Sequence, residues 1–157
     1  MNQAIYIETT IISYLTARQS RDLIVAAHQQ ITQEWWETRR KFFDVFISEL
    51  VIREAGSGDK SAAQRRLAAV NDIPLIELNE EILTLANTLI VEGPIPENSK
   101  EDALHIALAT VHGLDYILTW NCRHIANAEM RIGVSNICIA QGYQPPIICT
   151  PEELMGD

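Results

Sequence analysis

Five short apolar runs punctuate the chain: Ala4–Ile7, Asp44–Ile47, Pro74–Leu78, Tyr116–Thr119 and Pro146–Cys149, each four or five residues long and bounded by polar or turn residues. Runs of this length suit strands buried on both faces. Helix-like segments lie between them, which is the pattern of β-α-β units. It predicts an α/β fold built on a parallel sheet of about five strands.

The helices are marked by caps and by periodicity. Asn79-Glu80-Glu81 opens one, with Ile82, Leu85, Ala86 and Leu89 spaced by three and four before Gly93-Pro94 stops it. Another starts at Ser99, with Lys100-Glu101-Asp102 as its first turn, Leu104, Ala107, Leu108 and Val111 as its stripe and Gly113 as its stop. Arg21–Lys41 reads helical, with Ile24, Ala27, Ile31 and Trp35 on one face. Thr150-Pro151-Glu152-Glu153 carries a capping box and predicts a short last helix. Gly56–Asp59 and Gly93–Asn98 read as loops inside one domain spanning residues 1–157.

At 157 residues and 47% hydrophobic, the chain can bury a real core. Its 21 acidic residues against 12 basic ones give a formal charge of −9. Bulk electrostatic coating of nucleic acid or anionic membrane is therefore excluded, and any nucleic-acid contact is local. Cys122, Cys138 and Cys149 are odd in number and lack C-x-x-C spacing, so no disulfide framework or zinc ribbon is indicated. With no leader-like N-terminus and no membrane-length apolar run, the expected setting is the reducing cytoplasm.

In an open parallel sheet, ligands bind beyond the carboxyl ends of the strands. There the sequence places Glu8-Thr9-Thr10 after the first run, Ser48 and a helix carrying Glu54 after the second, and Trp120-Asn121 after the fourth, while Asp102 lies in the first turn of the Ser99 helix. The set is acidic and amide, with no thiol nucleophile and no glycine-rich phosphate cradle. Crowded carboxylates repel one another unless a hard cation neutralises them, and oxygen ligands suit Mg²⁺ or Mn²⁺.

Each residue also has a structural use. Glu8 could end its strand in solvent, Glu54 could pair with Lys60, Asn121 could cap the next helix, and Ser99 with Asp102 fits a helix cap. His105, three residues after Asp102 on the same helical face, could support that acid, bind substrate or pack in the core. His124, three residues after Asn121, faces the same region, and Trp120 could border a substrate groove. Residues 39–66 hold seven of the twelve basic residues, among them Arg53, Arg65 and Arg66, which form either a phosphate-contacting face or a solvated helix surface.

Tyr6-Ile7-Glu8-Thr9-Thr10 with Tyr14-Leu15, Ile47-Ser48 with Glu54, Asp102-Ala103-Leu104-His105-Ile106-Ala107 and Leu118-Thr119-Trp120-Asn121 together resemble the PIN-domain family in order and spacing, over nearly the whole chain. The resemblance implies a three-layer α/β/α sandwich and a single-strand-specific ribonuclease that uses Mg²⁺ or Mn²⁺ held by acids. Many small bacterial members are VapC-like toxins of toxin–antitoxin pairs, which dimerise and are silenced by a cognate antitoxin. Carried over by position, Glu8, Glu54 and Asp102 hold the metal and Asn121 takes the fourth catalytic position. Thr9, Thr10 and Thr119 supply hydroxyls nearby, with His105 and His124 in support. Two positions differ from the family pattern: Glu8 stands where Asp is typical, one methylene longer, and neutral Asn121 stands where Asp is common. Both bear on Mg²⁺ affinity, which follows ligand charge and geometry. They motivate a second class of function, a PIN-like module that has lost catalysis and acts through protein or RNA contacts. Dinucleotide-binding and phosphate-loop folds are excluded, since neither G-x-G-x-x-G nor G-x-x-x-x-G-K-[ST] occurs.

Overall fold

The computed structural model describes residues 2–157. Five parallel strands, β1 (Gln3–Ile7), β2 (Phe43–Ser48), β3 (Leu75–Ile76), β4 (Tyr116–Leu118) and β5 (Ile147–Cys149), form one sheet in the order β3-β2-β1-β4-β5. Each expected strand is present. β3 shrinks to two residues at the sheet edge, where one neighbour is missing. Seven α-helices fill the connections: α1 (Thr9–Thr16), α2 (Leu23–Thr38), α3 (Glu49–Ala55), α4 (Lys60–Ala69), α5 (Glu80–Val91), α6 (Lys100–Val111) and α7 (Ala128–Ala140).

The strand order dictates the layers. β1 to β2 to β3 steps one way across the sheet, and β4 to β5 steps the other. Right-handed crossovers then put α1–α4 on one face and α5–α7 on the opposite one. The packing agrees, since α1 contacts α2, α3 and α4 while α5 contacts α6 and α7. This is the expected α/β/α sandwich. The strand order reverses between β1 and β4, so the crevice at their carboxyl ends is the topological switch point.

The core centres on β1, where Ile5, Tyr6 and Ile7 are fully buried. Complete burial of a large apolar side chain is worth about 1.5–3 kcal/mol. Helix α6 is buried around most of its circumference: Ala103 and every residue from His105 to Thr110 are inaccessible, while Leu104 and Val111 of the expected stripe are only half-buried. A helix apolar nearly all round belongs in the interior. Gly113, at φ +71°, supplies the left-handed residue that ends it. Because α6 runs directly into β4, its first turn, with Asp102, lies at the carboxyl edge of the sheet.

Three expectations change. The long second segment is helical only from Leu23 to Thr38, followed by a 3₁₀ turn at Arg40–Phe42. Its buried face is Gln29, Thr32 and Trp35, while Ile24 is 69% exposed. The polar pair is drawn inward by specific partners: Gln29 bonds Ser20 N–H and the Arg18 carbonyl, and Thr32 accepts the Trp120 indole N–H at 2.7 Å. Ser99 makes no capping bond to α6; its hydroxyl faces His124 Nδ1 instead. The final capping box is present at Thr150 and Glu153, in a 3₁₀ helix at Pro151–Leu154.

Candidate metal centre

Glu8 is the residue after β1 and the N-cap of α1. An anion suits a helix start, where unpaired N–H groups and the helix dipole converge. The extra methylene of Glu8 lets the carboxylate fold back on its own helix, so that Oε2 accepts the Thr10 N–H at 3.2 Å. Oε1 accepts the hydroxyls of Thr10 and Thr119, the latter at 2.6 Å. Thr10 Oγ1 also accepts the Trp120 N–H at 2.8 Å, and Thr119 Oγ1 accepts that of Asn121 at 2.9 Å. The two threonines therefore tie the residues after β1 to those after β4 and hold Glu8 in place, although it is only 3% exposed.

Glu54 reaches the same place from the last turn of α3. Its Oε1 accepts the Thr9 hydroxyl at 2.6 Å and lies 2.7 Å from His105 Nε2. Burial alone would raise its pKa, but the His105 hydrogen bond, the Thr9 hydroxyl and nearby Arg53 hold it below the ordinary carboxylate range. His105 is 1% exposed on α6, and its Nδ1 meets the Tyr6 hydroxyl at 2.7 Å. Burial pushes the Tyr6 phenol far above its usual pKa, against the Ser48 hydrogen bond and with the help of Glu8 and Glu54, so its O–H persists. His105 thus serves Glu54 and not Asp102, the acid that helical spacing suggested. Glu54 makes no ion pair with Lys60.

Asp102 belongs to an adjoining cluster. Its Oδ1 accepts the Asn121 amide N–H at 3.0 Å, and its Oδ2 lies 3.0 Å from His124 Nδ1. Asn121 Oδ1 accepts the His124 N–H at 3.1 Å. A charged Asp at position 121 would face Asp102 with like charge; the amide donates to it instead. Ser99, His124 and Asp102 do not make a nucleophilic triad, because serine and acid share one ring nitrogen, Nδ1.

Glu8, Glu54 and His105 each present one ligand-type atom, and these lie within 4.8 Å of one another. Among the described residues, no Lys or Arg forms an ion pair with Glu8, Glu54 or Asp102; the nitrogens within reach of Glu54 and Asp102 are those of His105 and His124. Two carboxylates this close, one of them buried and neither paired to a fixed cation, make a donor set that suits a divalent metal.

The basic residues separate. Arg66 caps the end of α3 by donating to the carbonyls of Ala55 and Ser57, and Arg65 donates to Thr16 O and Ser61 Oγ. Arg53 is exposed and bonds to nothing among the described residues. It lines a concavity of about 510 Å³ with Ser48, Leu75 and Leu104, and none of Glu8, Glu54 and Asp102 is among the lining residues. Trp120 is closed off: 8% exposed, it stacks on His28 at 4.0 Å between ring centroids and on Tyr14 at 6.1 Å. The sequence offered no sign of His28 in this role, since its partner is 92 positions away.

No protein-family model and no curated protein matches the sequence. Among solved structures, the fold is similar to a chain of VapBC2 from Rickettsia felis bound to a DNA fragment from their promoter. That match has a TM-score of 0.59 at 16% identity, covering 94% of this chain and 98% of the other. At this identity the likeness establishes the α/β/α fold alone. No helix among the described residues is long and apolar enough to cross a membrane.

Proposed function

We propose that the protein is a divalent-metal-dependent endoribonuclease acting on single-stranded RNA, and that it is the toxin of a toxin–antitoxin pair. The observation that carries this is the meeting of Glu8 and Glu54 at the switch point with no lysine or arginine in an ion pair with either among the described residues. The likeness to a chain of VapBC2 supports the same direction.

In this reading Glu8, Glu54 and Asp102 hold Mg²⁺ or Mn²⁺. The bound ion supplies charge stabilisation at a phosphodiester and acidifies a water molecule. The residues of the chain do the rest. Thr9, Thr10 and Thr119 orient the carboxylates through the bonds described, while Asn121 and His124 orient Asp102. One of the acids takes the proton of the attacking water. Water adds to phosphorus and the bond to the 3′ oxygen breaks, leaving a 3′-hydroxyl and a 5′-phosphate. Arg53, free and beside Glu54, is placed to contact a substrate phosphate; Arg65 and Arg66 contribute less, since their guanidinium groups already bind backbone carbonyls. A cognate antitoxin and a second copy of the chain are the proposed protein partners, and exposed Val91, Ile132 and Ile139 on the contacting helices α5 and α7 leave apolar surface for association.

The test is cleavage of labelled single-stranded RNAs with Mg²⁺, Mn²⁺ or EDTA, with Asp102→Asn beside the wild type. Metal-dependent cleavage that Asp102→Asn abolishes while its melting curve stays cooperative is the expected result. Absence of cleavage under every metal would overturn the proposal in favour of a binding module.

A further inference from the structure

A chain of buried polar side chains runs from the interior to the metal centre. Ser48 Oγ lies 2.8 Å from the Tyr6 hydroxyl, which lies 2.7 Å from His105 Nδ1, and His105 Nε2 lies 2.7 Å from Glu54 Oε1. These residues come from β2, β1, α6 and α3. Ser48, Tyr6 and His105 are 2%, 0% and 1% exposed.

The hydrogens along the chain have one consistent placement. A carboxylate only accepts, so the hydrogen between Nε2 and Glu54 sits on the nitrogen. The neutral ring then has a bare Nδ1, which takes the Tyr6 O–H. The Tyr6 oxygen takes the Ser48 O–H, and Ser48 Oγ takes the Val51 N–H. The opposite tautomer would set the Nε2 lone pair against a carboxylate oxygen at 2.7 Å with nothing between them. A doubly protonated ring would turn the Tyr6 hydrogen toward Ser48 and strand the Ser48 hydrogen without an acceptor.

The consequence falls on Glu54. Its Oε1 is held by two donors, His105 Nε2–H and Thr9 O–H, whereas its Oε2 accepts no hydrogen bond from any described residue. We infer that His105 is a positioning residue, fixed as the Nε2–H tautomer by Tyr6 and Ser48, that anchors Glu54 Oε1 and leaves Oε2 as the metal-binding atom. His105 itself is then no ligand, because neither nitrogen has a lone pair to offer. The assignment of Oε2 rests on the metal-site reading above; the tautomer does not.

Two measurements test this separately. In metal-free ¹⁵N-labelled wild type, long-range proton–nitrogen correlation reads the tautomer directly, and the expected result is a protonated Nε2 with a bare Nδ1 on His105. For the metal arm, Mn²⁺ affinity is measured by titration calorimetry on the wild type, His105→Gln and His105→Asn, with circular dichroism to check folding. The Gln amide reaches the place of Nε2 and the Asn amide that of Nδ1. Gln should keep the affinity within about threefold, whereas Asn should lose about tenfold or more, as outer-shell substitutions do. An Nδ1–H tautomer, or Asn binding as tightly as the wild type, overturns the inference. Wild type that binds no Mn²⁺ overturns the metal-site reading and the Oε2 assignment with it, and the tautomer still decides whether His105 is the donor to Glu54.

Discussion

Tyr6→Phe removes one oxygen atom from the centre of the protein, and on composition alone it ought to be harmless, since Phe suits a buried strand as well as Tyr does. The bonding says otherwise. The Tyr6 hydroxyl sits between Ser48 Oγ at 2.8 Å and His105 Nδ1 at 2.7 Å, in a residue with no exposed surface. Its loss strands a Ser48 donor and a His105 acceptor where water does not reach. Each stranded buried group costs about 1–3 kcal/mol. Taking both groups in the lower part of that range gives a sum of about 2–4 kcal/mol. For a chain of this size, 1 kcal/mol moves Tm by about 2–4 °C, which gives a drop of roughly 5–15 °C. Tyr116→Phe is the control: its hydroxyl makes one exposed 3.3 Å bond to Gln3, and its loss should cost about 0.5 kcal/mol or less. Urea unfolding and differential scanning calorimetry on the two variants check both values. Equal stabilities for Tyr6→Phe and Tyr116→Phe would refute the buried-chain account.

Two further outcomes are expected. The Glu54 pKa is lowered in the folded state, so Glu54 adds stability above the unfolded carboxylate value of about 4.3, and that stability is lost as pH falls through the lower folded value. The stability difference between wild type and Glu54→Gln, from urea unfolding, should be flat above about pH 5 and shift against the wild type toward pH 3; a shift in its favour on acidification would contradict the assignment. Cys122 is exposed while Cys138 and Cys149 are buried, and burial pushes the Cys149 thiol up to about 12. A thiol reagent at pH 8 should therefore modify one cysteine quickly and the other two only on unfolding, as read by intact mass.

Some elements could be read from the residues and others could not, for physical reasons. The strands announce themselves because both faces of a parallel sheet are covered, which forces continuous apolar runs. Helix α5 does so through its clean stripe of Ile82, Leu85, Ala86 and Leu89, all buried as expected. Helix α1 is short and rich in Thr and Ile, so it continues the chemistry of β1 with no change of period. Helix α7 mixes Gly133, Ser135 and Asn136 with exposed Ile132 and Ile139 and has little amphipathic signal. At the site, Glu8 and Glu54 could be paired from their places after successive strands. The true partner of His105 could not, because helical spacing reports neighbours on one helix, and Glu54 arrives from another element across the sheet edge. Nor does residue type reveal that Asn121 turns its amide toward Asp102, or that Arg65 and Arg66 fasten backbone carbonyls.

The claim on which the rest depends is that Glu8 and Glu54 form a cation site. Ligand-linked stabilisation measures it without any assumption about substrate. At a Mn²⁺ concentration 100 times Kd, binding should stabilise the folded chain by about 2.7 kcal/mol, which is roughly 5–11 °C in Tm. The prediction is a shift of that size in the wild type, with a midpoint that follows Mn²⁺ concentration, and none in the Glu8→Gln/Glu54→Gln double variant. A wild type whose Tm ignores Mn²⁺, or a double variant that shifts as far, would contradict the account.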